Sequence, residues 1–169
     1  MQAEISRLEE QLGRALEGEA WHGPSVLEAL EGVTAEQAAA HPIAGAHSIW
    51  ELVLHLCGTY GLVLRRLGGD GRQLTETEDW PSVPEPSAEN WIDAVRMLKQ
   101  LNEDLRQAVR NFPGERLDKP LVLESSYTAY TQFIGVTQHN LYHAGQMALL
   151  KKALGANGAL RSGQVGGVA

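Results

Sequence analysis

One cysteine, Cys57, stands in 169 residues, so no disulfide can form within the chain and packing alone must hold the fold. Positive charge is also scarce. Lys and Arg number 14 against 21 Asp and Glu, a net charge of −7. A surface this acidic repels a phosphate backbone, so no nucleic-acid partner is expected. No basic run marks a membrane-surface patch. Long apolar runs are missing too. Leu52–Leu56 is short and contains His55, far below the roughly 18 to 20 residues that span a bilayer. The polar, acidic start, Met1–Glu10, lacks the apolar core of a signal peptide. These absences point to a cytoplasmic protein without membrane contact. What is present suits one globular domain: 43% apolar and 21% charged residues supply a core and argue against disorder.

Four segments carry the 3.6-residue period of amphipathic helices. The first runs from about Ile5 to Leu16, with Ile5, Leu8, Leu12, Ala15 and Leu16 on one face. The second starts at Ser48, where Ser48-Ile49-Trp50-Glu51 reads as a capping box, and stops at Gly68-Gly69. The third starts near Ser87 and runs to about Asn111, since Pro113 and Gly114 forbid continuation. The fourth spans about Thr131 to Leu154 and is expected to stop at Gly155. The first connection holds two short helix-like pieces, Ser25–Leu30 and Thr34–Ala40. The stretch from Gly68 to Pro86 has no clear period, and an irregular segment of that length is commonly functional or a crossover. Leu121–Leu123 and Tyr127–Tyr130 read as a short strand pair. The fold class is therefore all-α: a four-helix bundle over residues 1–154 with extra short helices in its first connection. A glycine-rich tail, 155–169, is expected to be flexible.

The chemistry lies in the histidines. His139 and His143 are four apart within the fourth helix, about 40° apart around it and one turn above each other. Two imidazoles so placed form either a polar strip or half of a metal site. His55 sits in Leu52-Val53-Leu54-His55-Leu56-Cys57, on or beside the buried face of the second helix. It is either a core histidine bonded to a carbonyl or carboxylate, or a third ligand from a facing helix. Bundle interiors are where such ligands converge. Three neutral imidazoles suit a borderline divalent ion such as zinc or nickel and leave positions open for water or substrate.

Two segments carry a resemblance. His47-Ser48-Ile49-Trp50-Glu51-Leu52-Val53-Leu54-His55-Leu56 is one. The other runs from Gln138 to Leu150 around a His-x-x-x-His-x-Gly-Gln core, His139 to Gln146. With these, the chain resembles the DinB-like, or YfiT-like, superfamily of bacterial bundle proteins, which is unrelated to the DNA polymerase sharing that name. Trp21-His22-Gly23-Pro24-Ser25 looks like one bacterial branch of it. The resemblance implies a left-handed bundle with up-down-down-up helix order. It also implies a metal site at His55, His139 and His143, and a homodimer. Some members activate low-molecular-weight thiols such as bacillithiol or mycothiol at the metal and pass the sulfur to an electrophile. Here the thiol and an electrophilic small molecule would be the partners.

Around these ligands several readings stay open. Gln146 shares the face of His139 and His143 and either orients a bound water or substrate or bonds a nearby backbone. Glu51, four before His55, either completes the Ser48 cap or steadies an imidazole from behind. His47 is a loop histidine or part of the site mouth. Trp80 closes the mouth or anchors its loop. Tyr142 packs in the core or lines a pocket. Gly145 is expected to admit a close helix contact. His22 and His41 read as loop residues, and Trp50, Trp91 and Phe133 as core. Cys57, about 200° around the helix from His55, reads as buried packing. No phosphate loop, dinucleotide fingerprint or Ser-His-Asp set offers other chemistry; Gly68-Gly69-Asp70-Gly71 lacks the Lys-Ser/Thr of a P-loop. Three functions remain: a metal-dependent thiol transferase or related enzyme, a non-catalytic metal or small-ligand binding protein, and a dimerisation module with polar core histidines.

Overall fold

The computed structural model describes residues 2–163, with side chains over 2–155. Seven α-helices and one 3-10 turn make up its regular structure, and no strand occurs among the described residues. The helices are α1 (Gln2–Glu17), α2 (Val26–Leu30), α3 (Ala35–Ala39), α4 (Ile49–Leu67), α5 (Glu76–Asp79), α6 (Ala88–Arg110) and α7 (Ala129–Gly163); the 3-10 turn is Gly114–Arg116. The long helices α1, α4, α6 and α7 pack pairwise: α4 against α6 and α7, and α1 against the same two.

Local sequence explains where the helices begin and end. At the start of α4, Ser48 Oγ accepts from Glu51 N at 3.2 Å, while Ser48 N donates to Glu51 Oε2 at 2.6 Å, so two orphan amides satisfy each other's side chains. At its end, Gly69 takes φ 88°. Its N–H donates to Arg66 O, and that of Asp70 to Arg65 O, both at 3.0 Å. This is the Schellman closure that only an unsubstituted Cα accepts without strain. Ser87 caps α6 by accepting from Asn90 N at 3.2 Å. The short helices α2, α3 and α5 each open on a capping box, with Ser25, Thr34 and Thr75 as caps.

Three expectations need correction. The helix expected to stop at Leu154 continues through Gly155 to Gly163. Gly155 has no positive φ, and one glycine inside a helix costs only about 1 kcal/mol relative to alanine. Residues 164–169 of the expected flexible tail lie outside the described residues. The strand pair at Leu121–Leu123 and Tyr127–Tyr130 reduces to a single antiparallel bridge, Pro120 to Thr128. Pro120 has no N–H to extend a ladder, and Leu123 is 99% exposed, so no face exists for a sheet to bury. The stretch 68–86 is not without structure, because it contains α5.

Trp50, Phe133, Leu98, Leu105 and Met147 are fully buried, and Trp91 joins them with its indole N–H donated to Val33 O at 2.9 Å. A polar knot crosses this core. The Tyr60 hydroxyl of α4 accepts from Asn102 Nδ2 of α6 at 3.2 Å and from Asn140 Nδ2 of α7 at 2.7 Å. All three residues are buried. Tyr60→Phe leaves both amides without that acceptor, so unfolding stability is expected to fall by about 1–3 kcal/mol. Urea denaturation would read this as a lower midpoint at unchanged slope.

Contacts along the long helices advance in register. From α4 to α6, Trp50 meets Trp91 and Tyr60 meets Asn102. From α4 to α7, His55 meets His139 and Arg66 meets Gln132. From α1 to α6, Arg106 meets both Glu9 and Glu17, at 2.8 and 3.2 Å.

Candidate metal centre

α4 supplies His55 and α7 supplies His139 and His143, and the three imidazoles converge. His139 Nε2 lies 3.0 Å from His55 Nε2 and 2.9 Å from His143 Nε2. One nitrogen from each ring falls within 4.8 Å of the others. His55 and His143 are buried and His139 is partly so.

The outer ring nitrogens decide which lone pairs face inward. His55 Nδ1 lies 2.9 Å from the Asp79 carbonyl oxygen and 3.0 Å from Asp79 Oδ1. Both are acceptors, so Nδ1 carries the proton and Nε2 presents a lone pair. His143 Nδ1 likewise donates to Gln146 Oε1 at 2.6 Å. His139 Nε2 therefore faces two lone pairs and can supply at most one proton between them. At least one pair of nitrogens meets lone pair to lone pair, an arrangement that a shared cation relieves. Burial, then His143 and His55, hold His139 down to about 4. Burial also lowers His143, although its bond to Gln146 opposes this. Both shifts favour the neutral, ligating form. The donor set thus fits a divalent ion: three neutral nitrogens, two with their tautomer fixed by an outer acceptor. His139 Nδ1, by contrast, is buried without a partner.

Glu51 is not behind an imidazole ligand. Its carboxylate takes the Ser48 cap and accepts from His41 Nε2 at 2.9 Å, with His47 Nδ1 at 3.6 Å. Burial alone would raise this carboxyl; hydrogen bonds from Ser48 and His41 outweigh it and hold it below its ordinary value. The cap and the His55 stripe compete for one carboxylate, and the cap has it. The carboxylate that does reach His55 is Asp79, which periodicity could not find because it lies in the irregular stretch. The cue was Thr75-Glu76-Thr77-Glu78, the same Thr-x-x-Glu pattern that opens a helix.

Trp80 stacks on His55 with ring centroids 4.0 Å apart and planes 1° from parallel, and His47 also stacks on Trp80, at 3.7 Å and 8°. His47 thus belongs to the wall around His55. Tyr142 is not core: it is 64% exposed, with its ring centroid 5.0 Å from that of His143 in an edge-on arrangement. Gly145 admits no close helix, since a Cβ there would meet nothing within 4 Å. Cys57 is buried, and burial pushes its thiol up to about 12, which makes it packing rather than a nucleophile. His22 is exposed and is not among the converging imidazoles.

These features define an all-helical protein with a buried three-histidine cluster compatible with a divalent metal ion. The profile of the DinB superfamily matches residues 20–147, well over half of the chain and inclusive of all three histidines, and the chain belongs to that superfamily. No curated protein and no solved structure matches it. No helix among the described residues is long and apolar enough to cross a membrane.

Proposed function

We propose that the protein holds one divalent ion, zinc or nickel, on His55, His139 and His143, and serves as a metal-dependent enzyme that transfers a small thiol to an electrophile. The observation that carries this reading is the meeting of three Nε2 atoms that have at most one proton to share among them, with Asp79 and Gln146 fixing two of the rings from behind. The ion's charge, when bound, would lower the pKa of a thiol and hold it as the nucleophilic thiolate. The chain's own residues do the rest. His55, His139 and His143 present neutral nitrogens, while Trp80, on which His47 also stacks, covers one face of His55. A cavity of about 300 Å³ lined by Ile43, His47, Leu52, Gln146 and Leu149 adjoins the cluster through His47 and Gln146. Its apolar walls suit the non-reacting part of an electrophile.

The fold reading goes with it. An up-down-down-up four-helix bundle is supported by α4 and α6 contacts advancing together, while those of α4 with α7 advance oppositely. A homodimer is supported by exposed Tyr142 and Leu149 on α7, flanking the open Gly145.

Elemental analysis of untagged protein is expected to find about one zinc or nickel ion per chain. A content near zero, with no uptake on titration at pH 7.5, would overturn the metal site. A panel of small thiols and electrophiles, assayed with loaded and stripped protein, tests the reaction. Metal-independent turnover would refute the chemistry, and metal binding without any turnover would favour a non-catalytic binding protein.

A further inference from the structure

Gly58 follows His55 by three residues, on the turn of α4 that α5 covers. A Cβ at Gly58 would stand 2.7 Å from the backbone oxygen of Glu78, closer than any methyl group can sit. Only glycine lets α5 lie this near to α4. Gly61, about one turn further on, is different: a Cβ there would meet nothing within 4 Å. The residue after Glu78 is Asp79, whose carbonyl and carboxylate oxygens both reach His55 Nδ1. The next is Trp80, stacked flat on the same imidazole. The segment is pinned independently of His55. Thr75 and Glu78 close a capping box, and Arg65 Nη1 donates to Glu78 Oε1 at 2.9 Å.

The three imidazoles are not oriented alike. His143 is held from within its own helix by Gln146, and His139 Nδ1 has no partner. His55 alone is held by a separate segment. We propose that Thr75–Trp80 is the positioning element for His55, seated by Gly58, with Asp79 the positioning residue that fixes the imidazole as its Nδ1–H tautomer and aims Nε2 at the other two rings. This rests on the metal-site reading for its functional consequence, but the tautomer is a property of the metal-free protein.

The experiment compares wild type with Gly58→Ala, Gly61→Ala and Asp79→Ala, using cobalt(II) as a spectroscopic stand-in for zinc or nickel. Gly58→Ala is expected to weaken cobalt binding by about 10–100-fold and Asp79→Ala by about tenfold, both with altered d–d bands, the range found for outer partners of metal ligands. Gly61→Ala is expected to keep the wild-type affinity and spectrum. In metal-free protein, long-range ¹H–¹⁵N spectra are expected to show His55 protonated on Nδ1 in wild type and Gly61→Ala, and mixed tautomers in Gly58→Ala. Wild-type affinity and bands in both Gly58→Ala and Asp79→Ala would overturn the proposal. Should Gly58→Ala fail to fold, Asp79→Ala decides. Wild type that takes up no cobalt would sink the metal reading instead. The tautomer spectra then decide alone: loss of the Nδ1–H form in Gly58→Ala supports positioning, and an unchanged tautomer refutes it.

Discussion

His139→Ala is expected to lower metal affinity by a factor of a hundred to a thousand while the helices stay folded. His139 is the hub of the cluster, because its Nε2 is the atom within 3.0 Å of both other ligand nitrogens. Structural zinc sites with four ligands bind with roughly 10–16 kcal/mol, about 2.5–4 kcal/mol per ligand, and each 1.4 kcal/mol is tenfold. The fold has little reason to suffer. Around His139, α7 is anchored by Phe133, Val136, Met147 and Leu150, all buried apolar residues, and these supply the burial that holds a helix in place. Alanine is also the best helix former. The substitution further removes a ring whose Nδ1 is buried without a partner. The metal-free variant should therefore melt at or slightly above the metal-free wild type. Chelator-competition titration and circular dichroism on the same sample read both quantities. An affinity equal to wild type would remove His139 from the site. Loss of the helical signal would make it a structural residue instead.

How much of this was legible from residues alone follows from which signals are local. Ser48 and Glu51 announced the start of α4, and both are bonded as a cap. The apolar period of α1, α4 and α6 marked helices whose bounds agree to within a few residues. His139 and His143 needed only helical spacing to be neighbours, and His55 needed only a buried position on a facing helix. Beyond these, the partners are non-local. Asp79 and Trp80 reach His55 because α5 folds back against Gly58, a contact between segments about twenty residues apart that periodicity cannot express. Glu51 was a fair candidate by spacing, but one carboxylate cannot serve both a cap and an imidazole. Gly155 failed as a stop signal because a glycine ends a helix only where the chain takes a positive φ, as Gly69 does and Gly155 does not. Tyr142 stayed open between core and pocket because its place on the helix, to one side of His139, says nothing of whether another helix covers it; it stands exposed beside His143.

Stripping the metal is expected to lower the melting temperature by roughly 10 °C at neutral pH, and this gap should persist well into acid. An ion present at about a thousand times its dissociation constant stabilises the fold by about 4 kcal/mol. In a domain of this size each kcal/mol moves the midpoint by about 2–4 °C. The pH dependence follows from His139. Burial and its two neighbours hold it near 4, against an ordinary value of 6.5. Between those values the unfolded chain binds a proton that the folded chain refuses. Stability of the metal-free protein therefore rises with pH through this window and is lost as pH falls from about 6.5 to about 4. The same depression protects the loaded protein. Protons compete for a ligand only where the metal-free fold would accept them, and His143 is shifted in the same direction. Competition at His139 itself thus leaves a gap between loaded and stripped protein at pH 5.5 that narrows toward pH 4. Thermal melts of loaded, stripped and His139→Ala protein from pH 8 to pH 4 measure it, with the gap in the variant reduced to about 1–5 °C because the same ion then stands at only about 1–10 times its dissociation constant. A gap that already closes near pH 6.5 would mean that burial does not shield the imidazoles. A gap of equal size in His139→Ala would place the bound ion elsewhere in the molecule.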